Sequence, residues 1–267
     1  MKKKLFILVL SMVFALNPLF AKDKIDIINK DTGVYIFKID TSKYGDKIKP
    51  FITPRLTTPK KVYDDNCFDF VVNAGFFDVK NGKTVSYVTI DNKLVGDVNK
   101  HEELIKSLEN EKRLDKVLSR GELRILEKNN NIKFDIARHD EPIQNGYTLK
   151  HALQAGPILY PDMDLEGEGF VKYDEEGIVK FQSVDILKRR ERTAIGLKGK
   201  WLYIVLFTHD YKVDANEMRD YMHNKLKLKK ILAFDGGLST SVSYKDIQIG
   251  SIGKHQRKVK SFLVIER

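Results

Sequence analysis

Apolar and polar positions follow one another along this chain mostly in blocks of strand length. Val34 to Ile39 alternates in part after a turn at Asp31-Thr32-Gly33, and the apolar run Phe70-Val71-Val72 leads into Asn73-Ala74-Gly75. Alternation with a period of two is the mark of a strand with one buried face. Thr84 to Val95 reads as a hairpin turning at Asp91-Asn92, and Leu123 to Leu126 with Ile132 to Ile136 as a second one hinged on Asn129-Asn130-Asn131. Asn tolerates the left-handed backbone that tight hairpin turns need. Thr193 to Leu197 and Trp201 to Phe207 flank Lys198-Gly199-Lys200, a third hairpin. Trp201 to Phe207 is apolar at every position, which predicts a central strand covered on both faces. Ile231 to Phe234 is a further buried strand, and Leu153 to Tyr160 an apolar stretch interrupted by Gln154 and Gly156-Pro157.

Helical spacing is rarer. His101 to Leu118 keeps Leu104, Ile105, Leu108, Leu114, Val117 and Leu118 to one side, and Gly121 stands close to the expected C-cap. Asp214 with Glu217 three residues later forms a capping-box pattern, and the helix it starts carries Met218, Tyr221, Met222 and Leu226 on one face. The whole predicts an α+β fold, a mixed β-sheet core with covering helices.

The N-terminus departs from this pattern. Lys2, Lys3 and Lys4 precede an almost unbroken apolar run from Leu5 to Leu16, then Asn17-Pro18 and Leu19-Phe20-Ala21. A basic head, a dozen apolar residues and a small residue at the exit is the layout of a secretory signal, too short to span a membrane. Residues 1–21 therefore read as a signal peptide cut after Ala21 and 22–267 as one domain, periplasmic or secreted; an uncleaved N-terminal anchor is the competing reading. Cys67 is the only cysteine, so no internal disulfide forms; beside Phe68 and Phe70 it is expected to be a buried small hydrophobe. The formal charge is +10. Its lysines are scattered, which excludes a nucleic-acid stripe and leaves at most a loose attraction to anionic envelope surfaces.

Four segments place polar residues where buried strands end: Asn73-Ala74-Gly75-Phe76-Phe77-Asp78, Ala152-Leu153-Gln154-Ala155-Gly156-Pro157, Arg192-Thr193-Ala194-Ile195-Gly196 and Asp235-Gly236-Gly237-Leu238-Ser239-Thr240. Strand ends are common sites for ligands. Gly236 and Gly237 permit an inward-facing nest of amides, with Ser239 and Thr240 adding hydroxyls; a plain tight turn is the competing reading. Arg192 offers a planar fork for phosphate. Asn73 and Gln154 suit sugar hydroxyls or, equally, backbone at strand ends. One ring of Phe76 and Phe77 is available to a sugar face. Asp78 and Asp210 are further carboxylates at strand ends, and Asp235 with Asp210 is the pair that glycosidic cleavage would call for. His209, next to Asp210, is an acid or base candidate or a structural residue. No metal-ligand spacing and no cofactor motif is present.

In this order the four segments resemble the phosphodiester glycosidase family, from about Asn73 to the C-terminus. The resemblance implies an α+β fold whose segments converge on a single surface cavity, with Asn73, Gln154, Arg192, Thr193, Asp210 and Asp235 as site positions. Gly75, Phe77, Asp78, Gly156, Gly236, Gly237, Ser239 and Thr240 join them as substrate-binding candidates. Leu238 stands where the family has a third glycine, and Tyr211 where a glycine often follows the aspartate. The segment Val98 to Glu141 has no motif and is read as cover over the site.

The implied reaction is hydrolysis of a sugar-1-phosphodiester at its sugar–phosphate linkage, in an envelope or extracellular glycan and without a cofactor. Arg192 and the amides around Gly236 and Gly237 would clamp the phosphate. Asp235 or Asp210 would stabilise an oxocarbenium-like centre or activate water. Two other readings stay open at this point: a non-catalytic exported glycan-binding protein that retains the pocket, and an enzyme acting on another envelope phosphodiester polymer.

Overall fold

The computed structural model describes residues 25–29 and 32–267. The signal segment 1–21, and Asp31 of the first turn, lie outside the described residues. Three sheets surround the main core. The largest has six strands, in the order Ile25–Asn29, Val34–Asp40, Trp201–Phe207, Arg192–Lys198, Lys230–Ala233, Ile158–Tyr160. A second has five, Ile247–Ile249, Val242–Tyr244, Phe68–Asn73, Val259–Glu266 and Ile48–Thr57. A third also has five, Lys93–Gly96, Val88–Ile90, Thr148–Gln154, Gly121–Lys128 and Asn131–Arg138. The α+β class holds, and the pairings between these strands are antiparallel, the direction that hairpin connections impose.

Trp201–Phe207 lies third of six, as its unbroken apolar run requires. Its Leu202, Ile204 and Leu206 face the core shared by the three sheets, while Tyr203, Val205 and Phe207 face a second core under the helices. Val34 and Ile36 join that second core, and Phe37 and Ile39 the first. Phe37 meets Phe70 edge-on at 5.1 Å, which ties the first sheet to the second. A smaller cluster of Val62, Phe68, Val71, Phe262 and Val264 seals the outer face of the second sheet beneath the helix Pro59–Asp65.

The hairpins at Asp91-Asn92 and Asn129-Asn130 form with these residues at positive φ, and the capping box of Asp214 and Glu217 is complete. Met218 and Met222 are fully buried beneath the helix Ala215–Asp220 and its continuation.

The helix expected over His101 to Leu118 is instead two, Glu102–Asn110 and Leu114–Leu118, broken at Lys112 with φ 55°. The step of six from Leu108 to Leu114 is out of phase with a helical face, and the break lets Val117 reach the interior. Gly121 is not a C-cap but opens the strand Gly121–Lys128. That strand and Asn131–Arg138 bring Leu123, Ile125 and Ile136 into the main core. Most of the segment read as cover is thus structural framework. Cys67 is exposed, not buried, because it sits in the turn ahead of Phe68–Asn73, where strand alternation has not begun. Among the described residues no helix is long and apolar enough to cross a membrane.

Candidate active site

The ends of three strands meet at one hollow. Phe234 donates its amide to the Thr193 carbonyl at 2.8 Å, and Asp235 donates its own to the Ala74 carbonyl at 2.8 Å. These bonds align the exits of Lys230–Ala233 and Phe68–Asn73 beside the entry of Arg192–Lys198. The next turn is locked by Gly237, whose φ of +57° suits glycine and whose amide donates to the Glu191 carbonyl at 2.8 Å. A cavity of about 680 Å³ opens over this junction, lined at its base by Phe76, Arg120, Glu191, Asp235, Gly236 and Ser239. Arg190, His209, Lys212 and Arg257 line it as well. That volume suits a sugar with part of an aglycone. Another hollow, of about 430 Å³, lies beside His101 and Lys260.

Two carboxyls face the cavity in contrasting surroundings. Burial raises Asp235 to about 6, against the lowering influence of the Ser239 hydroxyl, the Arg257 charge and the Gly236 amide. For Glu191 burial also pulls upward but is outweighed: its own amide, His209 and Lys212 hold it below the usual glutamate value. His209 Nδ1 lies 3.2 Å from Glu191 Oε1, and Lys212 Nζ lies 3.5 Å from the same oxygen. Environments that push two carboxyls apart in this way suit an acid and an anion in one site. Arg120 is buried, stacked 3.9 Å over Phe170, and donates to the Glu168 carbonyl; burial pulls it down to about 9, still charged at neutral pH. Among the described residues no cluster of three or more His, Cys, Asp or Glu is set to hold a metal ion.

A family model for phosphodiester glycosidases matches residues 66–266. The chain belongs to the phosphodiester glycosidase family. Among solved structures it resembles the zebrafish N-acetylglucosamine-1-phosphodiester alpha-N-acetylglucosaminidase catalytic domain, auto-inhibited by its pro-peptide. There the TM-score is 0.61 and identity 13%, over 91% of this chain and 81% of that one. A Burkholderia pseudomallei K96243 protein named as an exported one aligns with a TM-score of 0.53 and 11% identity, over 88% of this chain and 74% of that one. A hypothetical protein from Synechocystis aligns with a TM-score of 0.50 and 14% identity; 91% of this chain spans only 61% of it. At such identities the likeness is one of fold. No curated protein matches the chain.

Of the family positions named from sequence, Asp235, Gly236, Gly237, Ser239 and Phe77 line the cavity. Several others lie outside it as framework. Asn73 is fully buried, donates to the Asp235 carbonyl at 2.6 Å, and accepts from Thr193 Oγ1 and the Ser241 amide. Asn73 and Thr193 therefore use their polar atoms on each other and on backbone. Gln154 accepts from the Tyr87 amide and donates to the Leu118 carbonyl at 2.7 Å. Gly75 allows a close approach: a Cβ there would lie 2.9 Å from Ser86 Oγ. Gly156 packs against Glu168 and Phe170, and Thr240 is fully buried.

The expected clamp at Arg192 is corrected. Its buried guanidinium donates to the carbonyls of Val213, Val184, Asp185, Ile186 and Lys188, so it fastens the loop before its own strand instead of facing the cavity. Asp210 is also corrected: it is exposed on the turn His209–Tyr211 and packs against Gly33, outside the lining. Asp78 turns away to His101, 3.1 Å from its Nε2. Tyr211 packs on Phe207 and Tyr221, so that departure from the family pattern does not touch the cavity. Leu238, the other departure, occupies the short turn Gly237–Ser239, where φ is not left-handed and glycine is not required.

Sequence reasoning passed over Glu191, Lys212, Arg257 and Arg120, and read Arg190 with Lys188 and Arg189 as a solvated loop; Arg190 is exposed and paired with Asp185. Glu191 had one available signal, a charged residue at the mouth of a strand that is otherwise buried. Arg257 lies far from the motifs in a basic loop and had none.

Proposed function

We propose that the protein is an exported hydrolase that cleaves a sugar-1-phosphodiester of an envelope or extracellular glycan between the anomeric carbon and the phosphate oxygen. The observation that carries this reading is the pair Asp235 and Glu191, oppositely shifted at the base of one cavity that also presents Lys212 and Arg257, while Arg190 in its lining is paired with Asp185. Lys212 and Arg257 hold the phosphate. Asp235, in its protonated form, gives its proton to the bridging oxygen as the bond to the anomeric carbon breaks. Glu191 stays ionised and orients His209 through Nδ1, leaving Nε2 to take a proton from the attacking water. Water supplies the new anomeric hydroxyl, and the products are the free sugar and a phosphomonoester. The proton on His209 returns to Asp235 through solvent, which restores the site.

The export part of this reading is supported by the basic-apolar-small pattern ending at Ala21. The test of the reaction is incubation of the mature chain with methyl phosphodiesters of glucose-1-phosphate and of N-acetylglucosamine-1-phosphate, followed by phosphorus NMR. Appearance of methyl phosphate, lost in Asp235→Asn, is the expected outcome. No phosphomonoester from any such diester at high enzyme concentration and long incubation would sink the hydrolase reading in favour of a glycan-binding protein.

A further inference from the structure

Four of the large apolar side chains exposed on this protein stand together around the same cavity. Val79 is 56% exposed, Val184 45%, Leu238 54% and Ile252 53%, and all four line it. They come from four separate segments: the loop after Phe77, the loop that Arg192 fastens, the Gly237–Ser239 turn and the loop after Ile247–Ile249. Scattered exposed aliphatics need no explanation, but a group gathered at the mouth of a charged site marks a ligand surface.

From this rim we infer that the phosphate of the substrate is esterified to an aliphatic, lipid-like alcohol. The inference rests on the hydrolase reading above and names the substrate class of that site. Less exposed in the same lining are Lys212 and Arg257, which fix an anionic phosphate, and the acid Asp235, and together they form its polar base. A sugar, whose hydroxyls gain nothing from aliphatic side chains, belongs at the polar base. The chain on the other side of the phosphate then has the rim for its path. Leu238 supplies one side of that path with a side chain 54% exposed. Nothing in the backbone demands or forbids leucine there, so its contribution is its exposed apolar surface.

The expected effect is large enough to measure. Each methylene removed from water favours binding by roughly fourfold when fully buried, and an open rim buries it in part. Catalytic efficiency on octyl phosphodiesters of the sugar, kept below micelle concentration, should exceed that on the methyl ester by about ten- to hundredfold. The double variant L238S/I252S, whose altered positions are solvent-exposed, should bring the octyl-to-methyl ratio to within about threefold of one. Binding of octyl phosphate against ethyl phosphate, by calorimetry, reads the same preference without any turnover, with a negative heat-capacity change as its signature. Equal efficiency on octyl and methyl esters, with equal binding of the two phosphates, overturns the inference. So does a dimer that L238S/I252S dissolves while both phosphates bind alike, because the rim would then belong to a second copy. If neither diester is cleaved yet octyl phosphate binds at least tenfold tighter, the hydrolase reading fails and the alkyl-phosphate site stands.

Discussion

Asn73 Nδ2 donates to the backbone carbonyl of Asp235 at 2.6 Å, so a buried amide on one sheet fixes the turn that carries the acid on another. Its Oδ1 at the same time accepts from Thr193 Oγ1 at 2.8 Å and from the Ser241 amide at 3.0 Å. Replacing Asn73 by Ala leaves a buried hydroxyl, an amide and a carbonyl without partners, each costing about 1–3 kcal/mol. Asn73→Ala is expected to lose about 3 kcal/mol or more in urea denaturation and to lose activity with it. Asn73→Asp keeps the acceptor but sets a buried carboxylate oxygen against the Asp235 carbonyl, so at neutral pH it should be no more stable than Asn73→Ala. A variant as stable as the parent would show that the turn does not depend on this amide.

Arginines on either side of the strand entry should separate by phenotype. Arg192→Ala removes the donor set that holds the carbonyls of residues 184–188, and a stability loss of about 2–4 kcal/mol is expected. Arg257 is partly exposed, lines the cavity and stands over Phe77 at 5.7 Å. Arg257→Ala should melt within a degree or two of the parent yet lose roughly ten- to hundredfold in kcat/KM, the worth of one charge-assisted contact to phosphate. Thermal melts paired with kinetics decide it; the reverse pattern would restore Arg192 as the clamp.

Much of the framework was legible in the sequence, and the reasons are local. The run Trp201–Phe207 announces a strand covered on both faces, and Asp91-Asn92 and Asn129-Asn130 announce their turns, because each depends on neighbours in sequence. Three of the four motifs also mark strand ends that converge, since Asn73, Thr193 and Asp235 do meet. What the motifs do not reveal is which way a polar side chain points. Arg192 and Glu191 are adjacent, and strand geometry sends successive side chains to opposite faces, so one fastens a loop while the other faces the cavity. The identity of a motif residue and its direct contact with substrate are therefore separate questions. Arg257 and Arg120 reach the cavity only through packing between distant segments, which no local pattern records.

Glu191 and His209 are expected to act as a unit. Glu191→Gln keeps the main-chain bond to Gly237, so the fold should persist while His209 loses its anionic partner. A fall of about 10²–10⁴ in kcat is expected, the range for general-base catalysis. His209→Ala should cost a similar factor, and the double variant little more than either alone. Additive losses would show that the two side chains act separately.

Asp235 gives the sharpest dependence on pH, and its sign is opposite to that of an ordinary salt-bridged carboxylate. Its ordinary value is 3.8 and burial raises it to about 6 in the folded protein. Between those values the folded state keeps a proton that the unfolded chain has released, so stability falls as pH rises through that window. The cost is fully present above pH 6 and amounts to about 3 kcal/mol. Asp235→Asn carries no such charge. It should therefore match the parent near pH 4 and be more stable by up to about 3 kcal/mol at pH 7.5, while losing turnover. The same proton predicts that parent activity declines as pH rises through about 6, because the bridging oxygen then lacks its acid. Denaturant melts at pH 4 and 7.5, with a pH–rate profile, check both arms. An asparagine variant less stable than the parent at pH 7.5 would mean that Arg257 and the Gly236 amide fully compensate the charge, and that Asp235 works as an anion.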